Sequence, residues 1–240
     1  MRGICFKQEL FENVPRGTKT KTRRIELALN AINRSKLPRL KHGYPNPAKD
    51  KETMLYATAG AHLGDLSVIF PKTFTFQLYK YSDKQKKYTS ADIIYIATPR
   101  YKINEVLFLK EPYRAGNPAL NHPTVFYKYL GTESGRFENK LFMPERHARI
   151  FIQITDIKIK RVRDLDLLDY KAEGLEAYEQ IYFKPFRELS LKQKKQYGCF
   201  EHYVWEKVWK SINDADSFDQ NYYTFEYSFK IHHTKPELIP

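Results

Sequence analysis

The most regular pattern in the chain lies near its end. Tyr223, Phe225, Tyr227, Phe229 and Ile231 alternate with polar residues from Thr224 to Lys230, which predicts a strand. Ile150, Ile152 and Ile154 alternate in one phase, and Ile157 and Ile159 in the other. A phase change inside one extended segment predicts a β-bulge near Thr155 and Asp156 that bends the strand. Residues 106–109 form a continuous apolar run suited to a strand buried on both faces, and 124–130 is a further strand candidate. Residues 73–81 (TFTFQLYKY) alternate as a strand does, with a hairpin tip at 84–87.

Helical spacing is confined to a few places. Phe200, Val204, Trp205, Val208, Trp209 and Ile212 form one wide apolar face, so Trp205 and Trp209 are read as core. Asp166, with Asp169 three positions on, can cap a short helix that starts at Leu167 and that Gly174 would end. Residues 3–11 read as a strand or a helix start before a turn at Pro15, Arg16 and Gly17. A helix over 27–32 and a proline-containing loop over 37–51 are expected inside a stretch, about 26–100, that reads as an insertion. Strands dominate and helices are short, which predicts an α+β fold: one domain over 1–240, a small mixed β-barrel with peripheral short helices.

Composition adds a bias toward particular partners. The aromatic share of 15% favours a strand-rich core, because rings suit a pleated, half-buried surface. Lys and Arg number 41 against 28 Asp and Glu, a formal charge of +13. That balance draws polyanions such as nucleic acid, although solubility alone is a second reading. With only Cys5 and Cys199 there is no disulfide framework, so a reducing, cytoplasmic setting is expected. No apolar run approaches the ~18 residues of a membrane span, and the first ten residues lack a secretory pattern. His202, His232 and His233 lack further Cys or His at ligand spacing, and no dinucleotide or triphosphate glycine motif occurs. Neither a metal nor a cofactor is expected.

The densest candidate chemistry follows the first turn. Gly17, Lys19, Thr22 and Arg24 form a G-x-K-x-x-T-x-R block that also contains Lys21 and Arg23. If it is extended, Lys19, Lys21 and Arg23 share one face and Thr20 and Thr22 the other; if helical, Lys19, Thr22 and Arg23 gather. Either way it offers hydroxyl and cationic donors to a phosphate or carbonyl oxygen, and it also fits a solvated basic turn. Glu111, after the buried run, and Arg149, before the alternating isoleucines, are further ligand-binding candidates.

The block resembles the signature of the ASCH superfamily, a PUA-like group, and especially its longer phage and prophage versions. Other segments resemble that family in the same order: 101–113 (YKINEVLFLKEPY), Met143-Pro144 with Ala148-Arg149, 154–174 ending in Ala172-Glu173-Gly174, 209–213 (WKSIN) and the final aromatic strand. The chain departs from the pattern at Asn104-Glu105, Lys110 and Tyr113, where the family has Gly-Asp, Arg and Trp. The resemblance implies a barrel cleft that binds RNA or a modified nucleoside. One branch of the family hydrolyses N4-acylated cytidine, and carrying its set over implies Lys19, Thr22 and Glu173 as catalytic residues. Lys19 would serve as base or nucleophile if neighbouring cations depress its pKa, Thr22 would orient water or the carbonyl, and Glu173 would shuttle the proton. Glu173 could instead hold Lys19 as a cation in a site that only binds. A third expectation is a phage accessory protein that acts through a protein partner. The resemblance places Lys19 and Glu173 together across one cleft.

Overall fold

The computed structural model describes residues 1–26, Leu29, 98–116, 125–130 and 136–234, and the strand backbone at 54–59, 74–82 and 87–97. Its centre is a five-stranded sheet formed by β1 (Arg2–Cys5), β2 (Lys21–Arg24), β6 (Val106–Lys110), β9 (Phe151–Arg161) and β10 (Tyr223–His232). The order is β1-β6-β9-β10-β2; β1 and β6 are parallel and the other neighbours antiparallel. In the stretch expected as an insertion, β3 (Met54–Ala59), β4 (Phe74–Ser82) and β5 (Lys87–Ala97) form a separate antiparallel ladder. β7 (Tyr113–Ala115) and β8 (Val125–Tyr127) form a short pair. Residues 128–130 form a 3₁₀ turn rather than the strand end expected there. The expected helix over 27–32, Leu29 apart, and the loop over 37–51 lie outside the described residues, as do 84–86 of the expected tip.

The two strands with the clearest alternation pair with each other. β9 and β10 run antiparallel, with Tyr227 opposite Ile157 and Phe229 opposite Ile154. The register shifts between Ser228 and Phe229, so Thr155 has no opposite residue, and the bulge falls where the isoleucine phase changes. One continuous core lies over this face, with Ile152, Ile154, Ile157, Leu107, Leu109, Phe225 and Tyr227 all almost fully enclosed. The other face of β10 is covered as well, because Thr224 and Glu226 are also buried. Alternation therefore marks two different interiors here, one apolar and one charged.

Helices are more numerous than the apolar spacing predicts. α1 (Gln8–Asn13) follows β1, and α2 (Leu167–Ala172) starts at Asp166, whose side chain accepts the Asp169 N–H. α3 (Glu179–Glu188) and α4 (Leu191–Tyr197) follow and bury no residue. α5 (Phe200–Ile212) buries Val204, Trp205, Val208 and Trp209, and α6 (Ala215–Asp219) precedes β10. The architecture is mixed α+β. Its ladder is open, with β1 and β2 as unpaired edges among the described residues, so the expected closed barrel is not formed by strand pairing. One side chain crosses the gap: Arg24 Nη2 donates to the Cys5 carbonyl at 2.8 Å.

No helix among the described residues is long and apolar enough to cross a membrane.

Candidate functional site

A cleft of about 540 Å³ lies along the seam between the two edge strands. Residues 5–7 border it from the end of β1, residues 22–26 from β2, and Trp205, Val208 and Trp209 from α5. Tyr101 and Leu175 add apolar wall, and Glu173 adds a carboxylate. Both indoles are spent on structure: Trp205 Nε1 donates to the Val162 carbonyl at 2.6 Å, and Trp209 Nε1 to Ser217 Oγ at 2.8 Å.

Lys19 meets Glu173 behind the cleft, which only the glutamate of the two borders. The backbone forms an antiparallel bridge between them, and Lys19 Nζ donates to Glu173 Oε2 at 2.9 Å. The same ammonium donates to the carbonyls of Glu173 and Lys21, each at 2.8 Å, so all three of its protons are directed to acceptors. Its side chain is fully enclosed and its nitrogen lies 5.2 Å from the centre of the Phe6 ring. Burial pushes the Lys19 pKa down from the ordinary lysine value, with the Glu173 charge and hydrogen bond working against the shift. Geometry explains why Gly174 follows the glutamate. Its φ is +75°, and a Cβ there would meet Lys19 Cβ at 3.1 Å and Asn13 Cβ at 3.3 Å. Close approach of the two segments requires glycine.

Two buried polar functions bordering the cleft lack partners among the described residues. Glu173 Oε1 is buried without a donor although the residue is only 4% exposed. Arg24 Nε is buried without an acceptor, its guanidinium lying 5.5 Å from the Phe6 ring centre. Buried groups without partners are rare in native interiors and each calls for one. Thr22 also borders the cleft, opposite Tyr227 on the core side of β2.

The remaining expected site residues are drawn elsewhere. Lys21 and Arg23 lie on the far face of β2 from Thr22, as an extended strand requires. Arg23 borders the cleft, but its guanidinium is turned onto Asp169 Oδ2 at 2.6 Å and Glu226 Oε2 at 2.9 Å. Lys21 and Lys160 join the same two carboxylates, giving a cluster of three cations and two anions. Burial works to raise the Asp169 carboxyl pKa, but hydrogen bonds from Lys160 and Lys21 and the Arg23 charge outweigh it and hold it at about 2. Glu111 and Arg149 bind each other through two contacts, Nε to Oε1 at 2.6 Å and Nη2 to Oε2 at 3.0 Å, with Arg149 between Phe11 and Tyr127. Neither borders the cleft. The charges of Lys21, Arg23, Glu111 and Arg149 thus serve internal pairs.

Sequence reasoning missed Glu26, which borders the cleft where the expected insertion begins. Tyr227 donates to its Oε1 at 2.6 Å and the Arg100 N–H to its Oε2 at 2.8 Å. Burial pushes its pKa up against those two bonds. Lys7, Arg100, Asp169 and Glu226 were missed as well; Asp169 was legible only as a helix cap, and Glu226 only as the polar phase of a strand. Among the described residues no group of three or more His, Cys, Asp or Glu could hold a metal ion.

Comparison with family models, with curated proteins and with solved structures finds no match to this chain.

Proposed function

We propose that the chain is a PUA-like ASCH protein whose cleft binds the base of a modified pyrimidine nucleoside, free or within RNA. The observation that carries this reading is a pair of buried, unpartnered functions bordering the cleft, an acceptor at Glu173 Oε1 and a donor at Arg24 Nε, with the Thr22 hydroxyl bordering it as well. A pyrimidine edge presents an amine or amide N–H beside carbonyl and ring-nitrogen acceptors, which complements those groups. The apolar walls from Phe6, Tyr101 and Trp209 would cover the ring. Contact between the Lys-x-x-Thr block and the Glu-Gly pair, distant in sequence, supports the ASCH assignment.

A second reading, hydrolysis of an N4-acyl group, is favoured by the free oxygen on a carboxylate whose other oxygen is held by Lys19. Glu173 Oε1 would take a proton from water as it adds to the acyl carbon, and would return it to the amine as the C–N bond breaks. Thr22 and Arg24 would hydrogen-bond the carbonyl oxygen. Lys19, with its protons in use, would position Glu173 instead of attacking.

Titration calorimetry with N4-acetylcytidine, cytidine and uridine tests the first reading, and chromatography of the same mixtures for released acetate tests the second. Saturable binding is expected for at least one cytidine compound. Thr22→Val keeps the side-chain shape, removes the hydroxyl and should weaken that binding about tenfold, the worth of one hydrogen bond. Absence of binding by all three nucleosides and by single-stranded RNA would rule the reading out.

A further inference from the structure

The mouth of the cleft carries more positive charge than its neighbours neutralise. Lys7, Arg24 and Arg100 border it together with Glu26. Farther in, Lys19 is matched by Glu173, and Arg23 by Asp169 and Glu226. Setting Glu26 against one of the three outer cations leaves two cationic charges without a carboxylate among the described residues.

These cations also have hydrogen-bonding capacity left over. Arg24 commits Nη2 to the Cys5 carbonyl, while its Nε is buried and unpartnered. Lys7 Nζ makes one hydrogen bond, to Ser211 Oγ at 2.9 Å, out of three available protons. Arg100 is exposed, its guanidinium 5.5 Å from the centre of the Tyr101 ring and its side chain without a hydrogen bond among the described residues.

Strand geometry sets the spacing of Thr22 and Arg24. Thr22 and Arg24 lie two positions apart on extended β2, about 6–7 Å along its axis. The same cleft is bordered by Lys7 and Arg100, which the base edge does not use and which are open to the ligand's sugar substituent. We infer that Lys7 and Arg100, at the mouth, form a phosphate subsite, taking a terminal phosphate monoester on the sugar of the nucleoside held by the cleft. This inference rests on the nucleoside reading above. A monoester carries about −1.5 to −2 charge near neutral pH, which matches two free cations, whereas an internal diester carries half as much. Planar guanidinium groups also suit the bidentate pairing that phosphate oxygens offer.

The test titrates the full chain at low salt with N4-acetylcytidine, its 5′- and 3′-monophosphates, and a dinucleotide that joins it to a second nucleoside through one diester. One of the monophosphates should bind at least tenfold tighter than the nucleoside. That ratio should fall toward one in Arg100→Ala and in Lys7→Ala, and also as salt is raised. Equal affinity for the nucleoside and both monophosphates would overturn the subsite and leave the nucleoside reading standing. Binding of the dinucleotide as tightly as the better monophosphate would overturn the monoester assignment. No binding by any of the four overturns both readings together.

Discussion

Lys19→Ala is expected to destabilise the protein by about 3–5 kcal/mol, the range for removing one partner of a buried ion pair. The side chain is fully enclosed, and its removal leaves Glu173 and two backbone carbonyls without their donor. Urea unfolding would show a lower midpoint with an unchanged slope. Lys19→Arg separates charge from shape: it keeps the cation beside Glu173 but overfills an enclosed site, a cost of about 1–3 kcal/mol. A purely structural Lys19 would leave nucleoside affinity intact once both variants are folded. Affinity is expected instead to fall in each, because the Lys19 bond to Oε2 fixes the orientation of the carboxylate that borders the cleft. Acetate release, if wild-type protein shows it, should be lost in both.

The second large effect lies on the other face of β2. Arg23→Ala should also cost about 3–5 kcal/mol, since the guanidinium is buried against Asp169 and Glu226 at 2.6 and 2.9 Å. By contrast Lys158→Ala, which removes an exposed partner of Asp156 at 3.5 Å, should change stability by no more than about 0.5 kcal/mol. The cluster also sets an acid limit. Asp169 has a folded pKa of about 2, below the ordinary value of 3.8, so its contribution is fully present above about pH 4. It is lost as pH falls from about 4 to about 2, and amounts to on the order of 2 kcal/mol. Chemical unfolding at a series of pH values should show this loss in wild type, and a smaller one in Arg23→Ala, where Asp169 has lost a cation. An acid limb unaltered by the substitution would mean that the cluster is not what holds Asp169 ionised.

Elements whose burial follows a simple period were readable from the sequence. The alternating strand at the end of the chain, the bulge at Thr155 and the Phe200–Ile212 helix all appear where the pattern puts them. α3 and α4 enclose no residue, and on α3 Tyr182 and Phe186 only lean on Phe200 and Tyr203 of α5. The cap at Ser190 with Gln193 was the available signal for α4. Meeting of Lys19 and Glu173 came from the resemblance and not from any period. The fates of Lys21, Arg23, Glu111 and Arg149 were hidden for a different reason. A basic residue near a cleft reads the same in sequence whether its carboxylate is a ligand's or the protein's own. Only the fold brings Asp169 and Glu226 under Arg23, and Glu111 under Arg149.

A crystal structure of the chain soaked with N4-acetylcytidine, or grown with it, would show whether the cleft holds the base. The base is expected in the seam between β1 and β2, with a nitrogen donor about 3 Å from Glu173 Oε1 and an acceptor within similar reach of Thr22 or Arg24. A nucleoside seated elsewhere, while Glu173 Oε1 stays unpartnered or is met by another group of the protein, would contradict it.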